Sequence, residues 1–523
     1  MNVASRALKV VVAGLLIVVS GCTTDGRDAS PAAGSAAASL GASDEPGAAR
    51  HSEQFVPAVG EADNERPSKR WNVPAKRQAL SGEIAGYARP SVQEGEVIEL
   101  HVSTPANHFT VVAYRIGHYG GLGGAKVGQW GPFDGEVGEP EFTDPQTGAI
   151  EADWPVRARI STRDWEPGLY LMGLWTSGQA PKRATVPVLV ASKSARGRVL
   201  MVAGDRTWQA YNEWGGVSAY VGANGARETR SRAVSFARPY AWSGYRWPAA
   251  FDIPLIRTAE AAGVPLAYAS VTSLSAHPEA AQGAQGIVSA GHDEYWTAQY
   301  RKALVDAREA GTDLAFLGAN AGYWRTKMRD HGWTAWMPKE GRMQRWRDDP
   351  RAVPENAITG QLYDCYPSRA DMVVADSGFF LFAGTGVARG SRLRNLVGNE
   401  SDRFYPLPST PRPIQAPAVS PVDCGGSPTW STMTYYTTHS GSGVLSVGTM
   451  DWVRAMGGPR SGQGLGKDSL AFTRKVTINL LQAMARGRMG ADHPATDQFD
   501  ALNLPAHITT RAVRGTPDNP NLP

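Results

Sequence analysis

The chain has 523 residues, 42% of them hydrophobic and 20% charged, a globular composition long enough for about two or three ordinary cores. Its formal net charge is only +4, and Lys and Arg are interspersed with Asp and Glu rather than gathered in runs, so nothing in it suits nucleic acid. Its 16 Trp and 58 Gly suit turn-rich sheet cores and aromatic-lined clefts.

Residues 1–22 read as an export signal. Arg6 and Lys9 form a basic start, Val10 to Val19 an apolar stretch of ten residues, and Ser20-Gly21-Cys22 a small-residue site. Ten residues fall short of the ~20 that span a bilayer, so a removable signal is predicted rather than a permanent helix. Small residues directly before a Cys resemble the lipobox of bacterial lipoproteins, which would make Cys22 a lipidated N-terminus; an ordinary secretory signal is the alternative. Either reading places the mature chain outside the cytoplasm, with the lipobox reading anchoring it to a membrane by lipid. Residues 23–79 are rich in Ala, Gly, Ser, Pro and charge and read as a disordered tether.

Residues 80–193 carry short apolar or alternating runs bounded by turn residues, at Val97, Phe109, Ala158, Gly168 and Ala184. No helical period separates them, which predicts an antiparallel β-sandwich. Residues 194–488 alternate strand with helix. Runs at Arg198, Pro265, Gly286 and Thr312 read as strands, and those at Phe251 and Thr297 as helices, with Thr297 a candidate N-cap. This order predicts a doubly wound, mostly parallel α/β sheet. Signals are weaker from Arg329 to Trp430. A strand at Gly441 and a helix at Leu470 close the domain, and residues 489–523 read as a Pro-rich polar tail.

Export shapes the reading of the two remaining cysteines. Cys365 and Cys424 pair most simply as a disulfide closing a loop of ~60 residues, a bridge contributing about 3 to 4 kcal/mol on the loop-entropy account. A catalytic thiol is the alternative, but neither Cys sits at a predicted strand end.

The segment GIVSAGHDEYW, Gly286 to Trp296, holds the densest chemistry. A buried strand ends there in His292, Asp293, Glu294 and Tyr295, and ligands in open α/β sheets are handled at the carboxyl ends of strands. Asp451 and Trp452 follow another predicted strand and either border the same cleft or pack the closing helix.

RTWQAYNEWGG at Arg206, RPY at Arg238, SAGHDEYW at Ser289, FLGANAGYWR at Phe316, VGTMDW at Val447 and VVAYRIGHYGG at Val111 resemble the large (beta) subunit of N,N-dimethylformamidase. The resemblance covers roughly residues 81–488 and implies a class I glutamine amidotransferase-like α/β domain. It also implies a mononuclear iron held by two tyrosines and a glutamate, with a histidine and an asparagine serving the site. Carried onto this chain, the ligands are Tyr211, Tyr240 and Glu294, with Tyr220 as substitute for one tyrosine, and the catalytic pair is His292 and Asn320. For the family's lysine, Lys327 and Lys339 both lie near the matching place.

Hard oxygen donors suit such an ion, and an amide-cleaving hydrolase is the function implied. His292 would serve as acid/base or orienter, and Asn320 as a donor to the carbonyl oxygen. The motif offers no Ser or Cys nucleophile. Blander roles stay open: His292 and Asp293 as helix caps, Glu294 paired with Arg325, the tyrosines as core aromatics. The sequence therefore supports an exported amidohydrolase acting on a small amide or other C–N bond. The competing reading is a non-catalytic surface protein binding glycan or protein on the same fold. A second copy of the chain or a small partner subunit is compatible with either.

Overall fold

The computed structural model describes residues 66–73, 75–80, 82–339, 344–348, 353–458 and 464–504. The predicted signal, Cys22, most of the tether and the last residues of the tail lie outside the described residues. Among the described residues no helix is long and apolar enough to cross a membrane.

The first half is built from two sheets. One has six strands in the order Arg66–Pro67, Gly124–Asp134, His108–Ile116, Gly168–Thr176, Arg183–Ala191, Ser91–Gln93, antiparallel except at the last pair. The other has three antiparallel strands, Ala85–Tyr87, Val97–Ser103 and Val156–Ser161. Alternation puts Ile98, Leu100, Ala158 and Ile160 of the small sheet into one core with Val111, Ala113, Met172 and Val188 of the large one.

The second half is organised by a seven-stranded sheet. Its order is Leu266–Ser270, Val199–Ala203, Gly286–Gly291, Asp313–Gly318, Gly443–Ser446, Ser427–Thr437, Ile414–Cys424. The first five strands are parallel, the sixth pairs antiparallel with the fifth, and the seventh antiparallel with the sixth. Each parallel strand is apolar on both faces, as a sheet covered on both sides requires. Met201, Val288, Ala315 and Leu445 face a core shared with Leu255, Val476 and Leu480 of the helices Ile253–Ala261 and Lys467–Ala485. Leu200, Ile287, Leu314 and Val444 face a second core with Leu274, Tyr300 and Leu304. Thr297 caps the helix Ala298–Glu309, its hydroxyl accepting from the N–H of Tyr300 at 3.0 Å.

Chain order in the parallel sheet reverses between Val199–Ala203 and Gly286–Gly291, because the second strand lies outside the first and the third inside it. At such a reversal the connections leave toward opposite faces and open a crevice at the strands' carboxyl ends.

The stretch with weak sequence signals, from about residue 329 to 430, contains the long antiparallel pair Leu362–Val373 and Arg392–Arg403. Cys365 and Cys424 are joined in a disulfide that ties this pair to the end of the strand Ile414–Cys424.

Two expected boundaries move. Structure begins before residue 80, since Arg66 and Pro67 pair with Lys126 and Ala125, and Trp71 Nε1 donates to the Leu122 carbonyl at 2.9 Å. A tether composition does not prevent two backbone residues and one aromatic from docking on an available sheet edge. The expected tail is likewise docked as far as residue 504. Gln498 N donates to the Ile414 carbonyl at 2.7 Å, Arg412 pairs with Asp497 at 2.6 Å, and Phe499 packs edge-on to Phe404.

Candidate functional site

Two parallel strands deliver the site from their carboxyl ends. Gly291 and Gly318 are register partners, and a Cβ on Gly318 would lie 1.4 Å from the Gly291 carbonyl oxygen. Only glycine permits that approach. The two chains then diverge, one supplying His292, Asp293 and Glu294, the other Asn320, whose φ is +61°. The Asn320 N–H donates to Asp402 Oδ1 at 2.8 Å, fixing this left-handed turn.

The third contribution follows the strand Val199–Ala203. After the short helix Asp205–Ala210 the chain reaches Tyr211, and the N–H of Ala219 returns to the Ala210 carbonyl at 3.0 Å. Tyr220 is thereby folded over Tyr211. Arg238 holds this loop from beneath, its guanidinium donating to the carbonyls of Val217 at 2.9 Å, Asn212 at 2.9 Å and Gln209 at 3.2 Å.

Glu294 is the centre of the assembly and is 3% exposed. The Tyr220 hydroxyl lies 3.1 and 3.0 Å from its two carboxylate oxygens, the Tyr211 hydroxyl 3.4 Å from Oε2, and Trp324 Nε1 donates to Oε1 at 2.8 Å. His292 Nε2 stands 3.3 Å from Glu294 Oε2, while its Nδ1 is 3.3 Å from the Ala319 carbonyl and 3.9 Å from Glu400 Oε2. The His292 ring stacks on Trp247 at 5.2 Å. Lys339 Nζ donates to the Tyr295 hydroxyl at 2.7 Å and lies 3.2 Å above the Tyr220 ring, and the Tyr295 and Tyr220 hydroxyls are hydrogen-bonded to each other.

Burial would drive the imidazole toward neutrality and both carboxyls toward protonation. The neighbours reverse this for two of the three groups. Glu400 and Glu294 hold the His292 imidazolium, up to about 9 despite its burial. Burial pushes Glu294 upward, but Lys339 and His292 outweigh it, and the carboxyl ends well below the ordinary carboxylate range. Glu400 goes the other way, raised by burial and by the adjacent Glu294 charge beyond what His292 offsets. The site thus holds one firm carboxylate, one imidazolium and one carboxyl poised to gain or lose a proton.

Three buried polar atoms here make no well-directed hydrogen bond among the described residues: Asn320 Oδ1, Glu400 Oε2 and His292 Nε2, the last held only by its 3.3 Å ion pair with Glu294. Buried polar groups are almost always fully satisfied, so this cluster has hydrogen-bonding capacity left for a polar guest. Among the described residues no three His, Cys, Asp or Glu side chains converge as a metal site; the converging oxygens here belong to two tyrosines and one glutamate.

The structure brings together Tyr211, Glu294, His292 and Asn320, and it sets Tyr240 apart. The groups that act on the Tyr240 hydroxyl are Asp205, Gln209, Arg238 and Asp252 rather than Glu294. Tyr220, the substitute, occupies the place beside Tyr211. Of the two lysines, Lys339 is at the site and Lys327 is exposed. Asp293 is structural, accepting from Ser289 Oγ at 2.8 Å and from the Tyr300 hydroxyl at 2.9 Å. Glu294 does not pair with Arg325, which lies over the Trp346 ring. Asp451 pairs with Arg454, and Trp452 is fully buried, its Nε1 donating to Thr477 of the closing helix at 3.1 Å. Glu400 and Trp324 were not singled out in the sequence. A Trp two residues beyond a glycine turn is a weak signal, and Glu400 lies in a strand without period.

The architecture and site define an α/β protein preceded in the chain by an antiparallel β part, with a buried tyrosine–glutamate–histidine centre at the strand reversal. Residues 110–464 match the family described as N,N-dimethylformamidase beta subunit-like, C-terminal, and the chain belongs to that family. No curated protein matches the chain. Membership in the family suggests an amidohydrolase-like protein.

Proposed function

We propose that the protein is an exported, lipid-anchored hydrolase of a small amide or related C–N bond, working through the centre around Glu294 with iron as its cofactor. The observation that carries this reading is the convergence of Tyr211 and Tyr220 on Glu294, beside buried polar atoms of His292, Asn320 and Glu400 that make no well-directed hydrogen bond. The donor set fits a hard ion. Adjacent oxygens around an octahedral ion at about 2.1 Å stand roughly 3 Å apart, and the Tyr220 hydroxyl lies 3.0 and 3.1 Å from the Glu294 oxygens. Tyr211, Tyr220 and Glu294 would hold the ion. Iron bound there supplies Lewis acidity toward an amide carbonyl and toward water.

The remaining steps belong to the chain's own groups. Asn320 orients the substrate amide through its unpartnered Oδ1. Water adds to the carbonyl carbon as its proton passes to the Glu400 carboxylate, and the C–N bond breaks as the departing nitrogen takes a proton from His292 Nε2, which the proton held by Glu400 then replaces. Glu400, close to neutral-pH titration, keeps the imidazolium in place before that transfer and helps restore it afterwards. The Trp247, Phe251 and Tyr211 rings around His292 exclude bulk water, which strengthens every charge interaction inside.

The two-sheet core of the first half supports the β-sandwich reading, and the order of the parallel strands supports the amidotransferase-like one. Cys22 and the apolar stretch before it support the lipid anchor, with the membrane as partner. The test is metal analysis and visible absorption of the full chain. Iron with a tyrosinate charge-transfer band that is lost in Glu294→Ala supports the assignment, and a colourless protein that stays metal-free after iron loading refutes it.

A further inference from the structure

We infer a second binding site, for a small anion bearing a carboxylate or phosphate group, in a cleft of about 760 Å³ on the far side of the strand pair Tyr295–Trp296 and Trp324–Arg325. The volume is that of a small-molecule site. Tyr295 and Trp324 of this pair face the Glu294 centre, whereas Arg325, Thr326 and Lys327, further along the second strand and beyond it, line the cleft with Gln299, Met328 and Trp336. None of the groups around Glu294 lines it.

Among the described residues its lining is basic: Arg325 and Lys327 contribute two cations, and none of the described lining residues is a carboxylate. The helix Ala298–Glu309 starts on the cleft wall, with Ala298 and Gln299 both among the lining residues. The N–H groups of Tyr300 and Arg301 are taken by Thr297, at 3.0 Å each; the two before them belong to the helix's intrinsically unpaired first turn, the positive end of its dipole.

The floor is set by a buried guanidinium. Arg206, 1% exposed, donates to Thr326 Oγ1 at 2.7 Å and to Ser275 Oγ at 3.2 Å. A hydroxyl whose oxygen accepts from a guanidinium turns its own hydrogen away from that cation. Thr326, 4% exposed and lining the cleft, is thus oriented as a donor to a guest. Cations, helix N–H groups and an oriented hydroxyl all favour negative charge, while Met328 and Trp336 offer an apolar wall to the rest of the molecule.

Calorimetry on the full chain with citrate, inorganic phosphate, glucuronate and neutral glucose tests this. Saturable binding of at least one of the three anions, without binding of glucose, is expected; citrate or glucuronate alone would mark a carboxylate site and phosphate alone a phosphate site. Lys327→Glu should weaken that binding about tenfold, whereas Lys302→Glu, on an exposed residue outside the lining, should leave it unchanged. Absence of binding by all three anions, equal binding of glucose, or binding indifferent to Lys327→Glu would overturn the proposal. Lys327 is exposed, and its strand pairing with Trp336 runs through the backbone, which the substitution keeps; the binding readout does not require activity.

Discussion

Tyr211 and Tyr220 stack with ring centroids 4.2 Å apart and planes 20° from parallel, so that two aromatic side chains present their hydroxyls to the same carboxylate. The pairing separates Tyr220 from Tyr240 as the second oxygen donor. In iron-loaded protein, Tyr220→Phe and Tyr211→Phe should each lower iron content and shift or weaken the visible band, and Tyr240→Phe should leave both intact. Loss of the band in Tyr240→Phe with retention in Tyr220→Phe would reverse the assignment.

Glu400 should act on His292 rather than on Glu294. Its Oε2 lies 3.9 Å from His292 Nδ1, and it heads the influences that hold the imidazolium against burial. In Glu400→Gln the His292 titration should move down from about 9, seen by NMR of ring-labelled histidine. An unmoved titration would remove Glu400 from that role.

Stability should fall as pH rises from about 5 to 8. Burial raises the carboxyls of Asp252 to about 8, Asp313 to about 7 and Asp402 to about 8, from 3.8 in the unfolded chain. Between those values the fold retains protons that the unfolded chain has released, so each carboxyl favours the fold at low pH and loses that contribution as pH approaches its folded value. Denaturant unfolding at a series of pH values measures the slope, and a rise in stability over the interval would contradict it.

Trp452 belongs to packing, and its removal should show as stability rather than chemistry. Trp452→Ala should cost about 3–5 kcal/mol, with the iron band of the folded fraction unchanged. A variant that unfolds normally but loses the band would place Trp452 at the site after all.

Reduction of Cys365–Cys424 should destabilise the fold by up to about 4 kcal/mol, the loop-entropy figure for a separation of 59 residues. Unfolding midpoints of oxidised protein and of Cys365→Ser/Cys424→Ser measure it. Equal midpoints would show that sheet pairing alone holds the bridged strands.

Much of this was legible because the parallel strands are short and unmixed. Gly286 to Gly291 is apolar, ends in glycine and is followed at once by His292 and Glu294, so one local pattern marks both strand and site. Asn320 carries no such pattern, and only the family resemblance picked it out. Tyr220 was harder, since its place depends on the Ala219 to Ala210 hydrogen bond and on Arg238 gathering three carbonyls beneath the loop. Neither has a periodicity to read. Glu400 arrives from a strand 108 positions further along than His292, set there by pairing of Arg392–Arg403 with Leu362–Val373 and by the Met450 N–H donating to the Glu400 carbonyl at 3.2 Å. The early limit placed at residue 80 failed for a related reason: composition reports whether a segment can bury a core of its own, not whether it finds an edge to join.

The six-stranded sheet has two apolar faces. One closes on the small sheet, but Ile116, Leu169, Leu171, Leu189 and Ala191 belong to the same core as Met201, Val288 and Leu317 of the parallel sheet. The β part is therefore not a detachable appendage. A chain cut near residue 193 would leave four large apolar side chains and Ala191 facing water on one fragment and strip a wall from the other. Evolutionary shuffling of this front portion, or its replacement by a carrier in expression, would have to supply an equivalent greasy face, and heating should melt both halves in one transition.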